Sequence, residues 1–310
     1  MLGTFMTKSD FDNYIHLSYQ NDSKVFSEMV DELNRQFAFR STDKSEDFTG
    51  TSFTTLYPIV INFYKTHFPT LYQNFIPIYF SLWKLSVKDV IGLNGNMHQD
   101  GGIQYFGKNG YRSRMVNVWT NLYKDRVDGL SDSDLGIYVI DSEDPHHREL
   151  YKNMEKKNTH FYQKNSRELY DIRQIGEISI SYDLDSLNKL YFDYSEGTTI
   201  QFNSHLLHGT KSLEMDKLLF LPSDLNKYRV SLASVWVHQD DFNQDVLQIP
   251  EDDYEQVYLS GFDKNDWNRM KKAYSFFCPK EIMRLKYITE LVRLHLSYNN
   301  SFHQQVPNCE

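Results

Sequence analysis

Between Ser23 and Phe37 the apolar residues Val25, Phe26, Met29, Val30 and Leu33 recur at helical spacing, with Glu, Asp, Asn and Arg opposite. That pattern predicts an amphipathic helix, with Asp22 or Ser23 as its N-cap. A polar run from Arg40 to Gly50 reads as a loop. Tyr57 to Phe75 reads as helix in pieces, with Pro58, Pro69 and Pro77 marking its edges. From Ile78 the pattern changes to β-branched and aromatic residues, through Phe80, Leu82, Leu85 and Val87. Met115 to Leu122 alternates, with Val116, Val118 and Thr120 on one face and Asn117, Trp119 and Asn121 on the other. That period of two is a strand with one face carrying hydrogen-bonding groups beside a large ring. Further strands are expected at Gly136 to Ile140, Glu177 to Tyr182, Lys189 to Tyr194, Thr198 to Phe202 and Tyr228 to Val237, with Gly197 turning the chain. Asp144 to Arg173 is the most hydrophilic interior part and reads as a helix-containing excursion or lid. Lys217 to Lys227 is a connection, and Glu251 to Tyr298 reads mostly as helix, with a stripe of Ile282, Leu285, Ile288, Val292 and Leu296.

Short strands in the middle and helices at both ends predict a mainly β fold, an antiparallel double-sheet barrel flanked by helices. There is no internal repeat, low-complexity tract or linker, so residues 1–310 are expected to form one domain. Its parts are a helical N-terminal region to about residue 77, a barrel core from about 78 to 240 and a helical C-terminal region from about 251 to 300. The composition, 40% hydrophobic and 24% charged, is that of a globular chain, and its 22 Tyr and 21 Phe favour sheet and aromatic-lined pockets over a helical bundle.

Charge and cysteine content narrow the partners. A net charge of −9 without a basic run disfavours nucleic acid. The two cysteines, Cys278 and Cys309, offer no Cys-x-x-Cys pair or disulfide framework, which fits a reducing compartment. No charged segment followed by an apolar one opens the chain, and the most apolar stretch, Leu56 to Leu85, is broken by polar residues and prolines. A cytoplasmic protein acting on a small molecule, without membrane or nucleic acid, is the expectation.

Chemistry concentrates first at Met97-His98-Gln99-Asp100-Gly101-Gly102. On an extended strand His98 and Asp100 share a face, supplying two thirds of the facial triad that binds non-haem Fe(II). A second concentration follows at His205-Leu206-Leu207-His208-Gly209-Thr210, where His208 has a glycine neighbour that permits close backbone approach. His205 and His208 are three apart, so only one of them points inward on a strand. Downstream, Arg229 and Ser231 share a strand face and present a guanidinium fork and a hydroxyl, a pair suited to a carboxylate in a partly buried slot.

His98-x-Asp100, then His208-Gly-Thr, then Arg229-x-Ser231, in that order, resemble the Fe(II)/2-oxoglutarate-dependent oxygenases. The Trp119 strand and the Gly…Phe…His-Gly-Thr passage are most similar to the phytanoyl-CoA dioxygenase-like branch. The resemblance spans roughly Phe80 to Val237 and implies a double-stranded β-helix (jelly-roll, cupin-like) core. It implies that His98, Asp100 and His208 hold iron, while Arg229 and Ser231 bind the distal carboxylate of the cosubstrate 2-oxoglutarate. Asn117 would bind its other carboxylate, and O2 would be the oxidant. Tyr105, Arg114 and Trp119 are candidates for substrate contact, with Arg112 and Tyr111 beside them. Halogenating relatives have a small residue in place of the carboxylate, so Asp100 points to hydroxylation, desaturation or oxidative ring closure. A small polar metabolite, an amino acid or an amino-acid-derived natural-product intermediate, is the expected substrate. The chain departs from the branch in a long gap between Asp100 and His208, and in a longer connection to Arg229 around Pro222.

Other histidines compete less well. His238-Gln239-Asp240 repeats the H-x-D spacing but follows the arginine strand and reads as a solvated strand end. His146-His147 lies in the hydrophilic excursion and reads as surface. From a different class, a cupin-like protein that binds a ligand or metal without oxygen chemistry would explain the barrel but not the arginine-serine pair.

Overall fold

The computed structural model describes residues 14–20, 23–40, 46–47, 53–86, 97–98, 106–109, 113–131, 133–141, 144–145, 148, 161–165, 168–171, 178–181, 187–211, 227–248 and 289–298. Helix α1 is Lys24–Phe37, α2 is Phe53–His67, α3 is Pro69–Asn74, and a fourth, α4, covers residues 289–298. The N-cap of α1 is Ser23, whose hydroxyl accepts from the Phe26 N–H at 3.3 Å and also contacts Nε2 of His67 at 2.7 Å. Its buried face is Phe26, Met29, Val30 and Leu33, the spacing read in the sequence.

Two antiparallel sheets form the core. The larger runs β1 (Ile15–Tyr19), β10 (Thr198–Asn203), β4 (Met115–Lys124), β12 (Tyr228–His238), β3 (Phe75–Ser86), β2 (Glu46–Asp47), in that spatial order. The smaller is β11 (His208–Thr210), β5 (Ile137–Ile140), β9 (Lys189–Tyr191). The chain passes from the large sheet at β4 to the small at β5, returns from β9 to β10, crosses again to β11 and returns to β12. That alternation winds the double-stranded β-helix expected from the sequence. A third sheet, β6 (Phe161–Asn165), β7 (Glu168–Asp171) and β8 (Ile178–Ser181), is inserted in sequence between β5 and β9.

Each face of the large sheet has its own core. Val116, Val118 and Leu122 of β4 and Val230, Leu232 and Trp236 of β12 pack outward against α1 and α2, together with Phe80 and Leu82 of β3. Ile200 and Phe202 of β10 face inward and meet Ile137 and Val139 of the small sheet. Burying two such apolar layers is the main stabilising term for a sheet sandwich.

Several expectations are corrected. Pro58 does not end a helix: it is exposed and lies inside α2, where its missing N–H costs one intrahelical hydrogen bond. Pro77 does not precede the strand but sits within β3, opposite Trp236, where the register shifts. A bulge removes the need for the N–H that proline lacks. The N-terminal region is not only helical, because Ile15–Tyr19 pairs with β10 along its whole length. The helix-containing excursion has helical residues at 145 and 148 among its described parts, and strands β6 and β7 besides. Val87, Asp100, Tyr105, Tyr111, Arg112, His146, His147, Ile282, Leu285 and Ile288 lie outside the described residues. No helix among the described residues is long and apolar enough to cross a membrane.

Helix α4 docks through Leu291 and Val292, and through His295, which is 1% exposed. The Tyr57 hydroxyl and Nδ1 of His295 are 2.7 Å apart, in a cage with Tyr72 and Trp236. Burial, with Lys65 adding to it, pulls the His295 imidazole down to about 3. An unfolded imidazole takes up its proton near its ordinary value, so between that value and about 3 the unfolded state binds more protons. Stability from this group is therefore present at neutral pH and lost as pH falls, at about 1.4 kcal/mol per pH unit inside the window. Denaturant unfolding at pH 6.5 and 4.5 should show a shallower pH dependence for His295→Phe than for wild type by about 2 kcal/mol; identical slopes would show that His295 is protonated freely in the fold.

Candidate active site

The bulge in β4 decides what the barrel interior contains. Along β4, Asn117, Trp119 and Asn121 stand opposite Val235, Ala233 and Ser231 of β12, while their even neighbours pack on the helices. Directly opposed residues on adjacent strands share a face. The inward face of the large sheet therefore carries Asn117, Trp119, Asn121 and Ser231. The register then shifts between Val230 and Ser231, which brings Lys124 opposite Arg229. The extra residue is Leu122 on β4, so the bulge turns Lys124 to the inward face, while Arg229 keeps the face of Ser231 by plain alternation and reaches across to the small sheet.

Arg229 is buried, 1% exposed. One terminal nitrogen donates to the Leu135 carbonyl just before β5, and the other donates to Thr210 Oγ1 on β11 at 3.1 Å. Its Nε has no hydrogen-bond partner, and no carboxylate among the described residues pairs with it. The Tyr194 ring lies 5.5 Å from the guanidinium carbon. Burial pulls the guanidinium below its usual range, opposed by Tyr194. Burial also raises the Tyr194 phenol, with Arg229 and the hydrogen bond to Ser231 working against that rise. Tyr194 donates to Ser231 Oγ at 2.9 Å, and its carbonyl accepts from Asn121 Nδ2 at 2.8 Å. Gly136 lets this packing close: a Cβ there would lie 2.8 Å from the Tyr194 Cβ and 3.0 Å from the Ser133 carbonyl.

His98 and His208 face each other as an isolated antiparallel bridge. The N–H of each donates to the carbonyl of the other, at 2.9 and 3.0 Å. Side chains of such a pair project to one side, and the two imidazole centroids are 4.5 Å apart. His208 is buried against Phe202, and its Nδ1 lies 3.0 Å from the Leu206 carbonyl. A carbonyl only accepts, so Nδ1 carries the proton and the neutral ring keeps its lone pair on Nε2. That is the tautomer and orientation of a metal-ligating histidine held by its second nitrogen. Thr210 is two residues beyond His208 on the same strand, so it shares its face. The histidine pair and the arginine slot thus lie along one short strand, about 7 Å apart at the backbone.

The sequence candidates fall into groups. The structure brings His98 and His208 together and sets Arg229, Ser231, Asn117 and Trp119 on the interior face. Asn117 is buried, and its Oδ1 accepts from the Ser204 hydroxyl. Trp119 packs on the inter-sheet cluster. Arg114 is elsewhere: its Nε donates to Asp241 at 2.9 Å and a terminal nitrogen to Asp240 at 3.4 Å, at the strand's beginning. That pairing uses the guanidinium that an anionic substrate group would need. His205 sits in the turn after β10, with its N–H donating to Asn203 Oδ1. His238 caps a short 3-10 turn, accepting from the Asp240 N–H, as a strand end. Among the described residues no group of three His, Cys, Asp or Glu side chains clusters as a metal site; Asp100 and Tyr105 lie outside them.

Tyr194, Thr210 and the Leu135 carbonyl were missed. Thr210 was legible, since it is two residues from His208 on a strand. Leu135 contributes only backbone, which no side-chain pattern records, and Tyr194 looks in sequence like any other tyrosine on a strand.

A buried cation needs a reason to be there, and the chemistry of this donor set fits the iron and 2-oxo-diacid pair that the sequence order implied. Two adjacent imidazoles, one fixed as the neutral tautomer, suit a divalent iron, with Asp100 as the carboxylate that the sequence offers. A guanidinium with an uncommitted Nε suits a carboxylate.

No family model matches the chain, and no curated protein matches it. Solved structures do. One is HygX from Streptomyces hygroscopicus with nickel and 2-oxoglutarate bound, 11% identical, covering 74% of this chain and 84% of its own, with a TM-score of 0.39. Another is the non-haem α-ketoglutarate-dependent carbocyclase SnoK from nogalamycin biosynthesis, 8% identical, 76% and 87% covered, TM-score 0.40. A prolyl 4-hydroxylase from Phytophthora capsici is 12% identical, with 97% and 88% covered and a TM-score of 0.34. Likeness at this level carries no weight for function, and the phytanoyl-CoA branch finds no support in it. The site's own residues carry the functional reading.

If Arg229 is kept for a ligand and not for the fold, an apolar replacement should be tolerated. Removing an uncompensated buried charge is worth several kcal/mol and offsets two acceptors left without donors. Arg229→Met should therefore unfold in denaturant within about 1 kcal/mol of wild type or above it; a loss of more than about 3 kcal/mol would show that the guanidinium is a structural strut.

Proposed function

We propose that the protein is a mononuclear non-haem Fe(II), 2-oxoglutarate-dependent oxygenase. The observation that carries this reading is the buried Arg229, with no hydrogen-bond partner at Nε and no carboxylate partner among the described residues, held at Thr210 on the strand face that also carries His208, itself paired with His98. His98, His208 and Asp100 would hold the iron. Arg229 and Ser231 would take the distal carboxylate of 2-oxoglutarate, the guanidinium supplying charge and the Ser231 hydroxyl, already bonded to Tyr194, a short-range contact.

When bound, the iron supplies activation of O2 with oxidative decarboxylation of 2-oxoglutarate to succinate. The chain's own residues bind, orient and exclude water. Leu206 holds the His208 ring through Nδ1, so its basic nitrogen is presented in a fixed direction. Ile137, Val139, Ile200 and Phe202 keep the space between the sheets apolar, where a charge-assisted hydrogen bond gains strength. Ser204 donates to Oδ1 of Asn117 and so fixes the plane of the amide that would bind the second carboxylate. Trp119 offers an aromatic wall to a substrate.

The substrate we infer is a small polar metabolite, an amino acid or an amino-acid-derived natural-product intermediate, undergoing hydroxylation, desaturation or ring closure. An acidic chain without a basic run supports a small molecule over a nucleic acid. Asp100 supports oxygenation over halogenation.

Purified protein given Fe(II), 2-oxoglutarate and O2 should release succinate, slowly without substrate and faster with it. His98→Ala and His208→Ala should each abolish release, and Arg229→Ala should chiefly raise the 2-oxoglutarate concentration required, by about a hundredfold for a lost charge-assisted pair. Full succinate release from His208→Ala would remove the basis of the assignment and leave the cupin-like binding protein.

A further inference from the structure

The two acceptors that orient Arg229 belong to one stapled unit. Thr210 Oγ1 is followed in sequence by Lys211, and the Leu135 carbonyl is preceded by Asp134. Lys211 and Asp134 face each other, with Nζ 2.9 Å from Oδ1. Lys211 Nζ also donates to Ser133 Oγ at 3.0 Å, and its backbone N–H donates to the Gly136 carbonyl at 2.8 Å. Asp134 is fully buried, and its other oxygen accepts from the Ser131 N–H at 2.8 Å. Residues 133–136 are thereby pinned to the end of β11 by a side-chain ion pair, a side-chain hydrogen bond and a main-chain hydrogen bond.

The pinning has a consequence for Leu135. Its φ is +64°, a conformation that side chains other than glycine and asparagine rarely adopt. Such a backbone persists only where its surroundings impose it, and it is found where a group must be aimed. Here the aimed group is the Leu135 carbonyl, which accepts from Arg229. Burying an aspartate for the sake of a turn alone is a poor use of a charge, since its desolvation offsets most of what the ion pair returns. The placement makes sense if the geometry it fixes matters more than the stability it adds.

We propose that Asp134 and Lys211 are positioning residues for the cosubstrate clamp. Their ion pair fixes the separation of the Leu135 carbonyl and the Thr210 hydroxyl, and these two acceptors hold the guanidinium fork of Arg229 so that its remaining N–H faces the slot. Neither residue touches the cosubstrate. The inference rests on the 2-oxoglutarate reading of Arg229 given above. It predicts that these two surface-neighbouring and buried charges act on cosubstrate affinity only through Arg229.

The test is anaerobic calorimetry of 2-oxoglutarate binding to Fe(II)-loaded protein, with Fe(II) affinity measured first on each variant. Asp134→Asn and Lys211→Met should each weaken 2-oxoglutarate binding about tenfold, a change of about 1.4 kcal/mol, with Fe(II) affinity within twofold of wild type. Lys211→Arg, which keeps the charge, should recover most of the loss. In an Arg229→Ala background either substitution should add less than a twofold effect, because the group they position is gone. The same penalty in both backgrounds would overturn the proposal and make the pair a simple staple of the turn. So would unchanged 2-oxoglutarate affinity with a lowered melting temperature. If Asp134→Asn does not fold, Lys211→Met and its double variant carry the comparison. Absence of 2-oxoglutarate binding to the wild type is a separate outcome: it removes the cosubstrate reading itself, and the positioning role with it.

Discussion

A guanidinium sealed between two sheets, with no carboxylate among the described residues to neutralise it, is the constraint around which this barrel is arranged. Taking such a charge out of water is costly by several kcal/mol, and two neutral acceptors compensate only part of it. Three features answer to it. The alternation of β12 puts Arg229 on the same inward face as Ser231, and the bulge in β4 keeps Lys124 opposite it. The left-handed Leu135 supplies a carbonyl at the required place. Tyr194 lays its ring beside the charge while tying Ser231 and Asn121 into one network. The glycine at 136 follows, because Tyr194 leaves no room for a Cβ there.

The second centre is simpler. His98 and His208 meet because one backbone bridge connects their strands, and that bridge is also where the segment after β3 joins the small sheet. The backbone contact that ties residue 98 to the edge of the small sheet therefore aligns the imidazoles as well. The Leu206 carbonyl then selects the tautomer. Since Thr210 follows on the same strand face, the distance from the histidine pair to the arginine slot is set by strand geometry, with no loop involved. Sites supported on sheet backbone hold their geometry better than sites on loops.

Strand periodicity made most of this arrangement legible before any coordinates. The alternation in β4 correctly separated Asn117, Trp119 and Asn121 from Val116, Val118 and Thr120, and the pairing of Arg229 with Ser231 followed from the same rule. The Phe26, Met29, Val30, Leu33 stripe located α1, and of the two caps the sequence offered, Asp22 and Ser23, it is Ser23 that accepts from the Phe26 N–H. Proline was read less well. Pro58 and Pro77 look like boundaries, yet an exposed helix position and a bulge absorb them. The strand Ile15–Tyr19 was missed because IHLSY is short and contributes only one edge of the sheet. Arg114 was offered to a substrate because its partner, Asp241, is distant in sequence and adjacent only after β4 and β12 pair. The Asp134–Lys211 pair was invisible for the same reason, since nothing local joins residues that far apart.

On the proposed function, iron and 2-oxoglutarate bind side by side, through the histidine pair and Arg229. The most direct measurement is an anaerobic visible titration of the wild-type protein with Fe(II) and 2-oxoglutarate, added singly and then together. A weak visible charge-transfer band should appear only when both are present and saturate at one equivalent of each. Iron bound tightly with no such band at any 2-oxoglutarate concentration would contradict it.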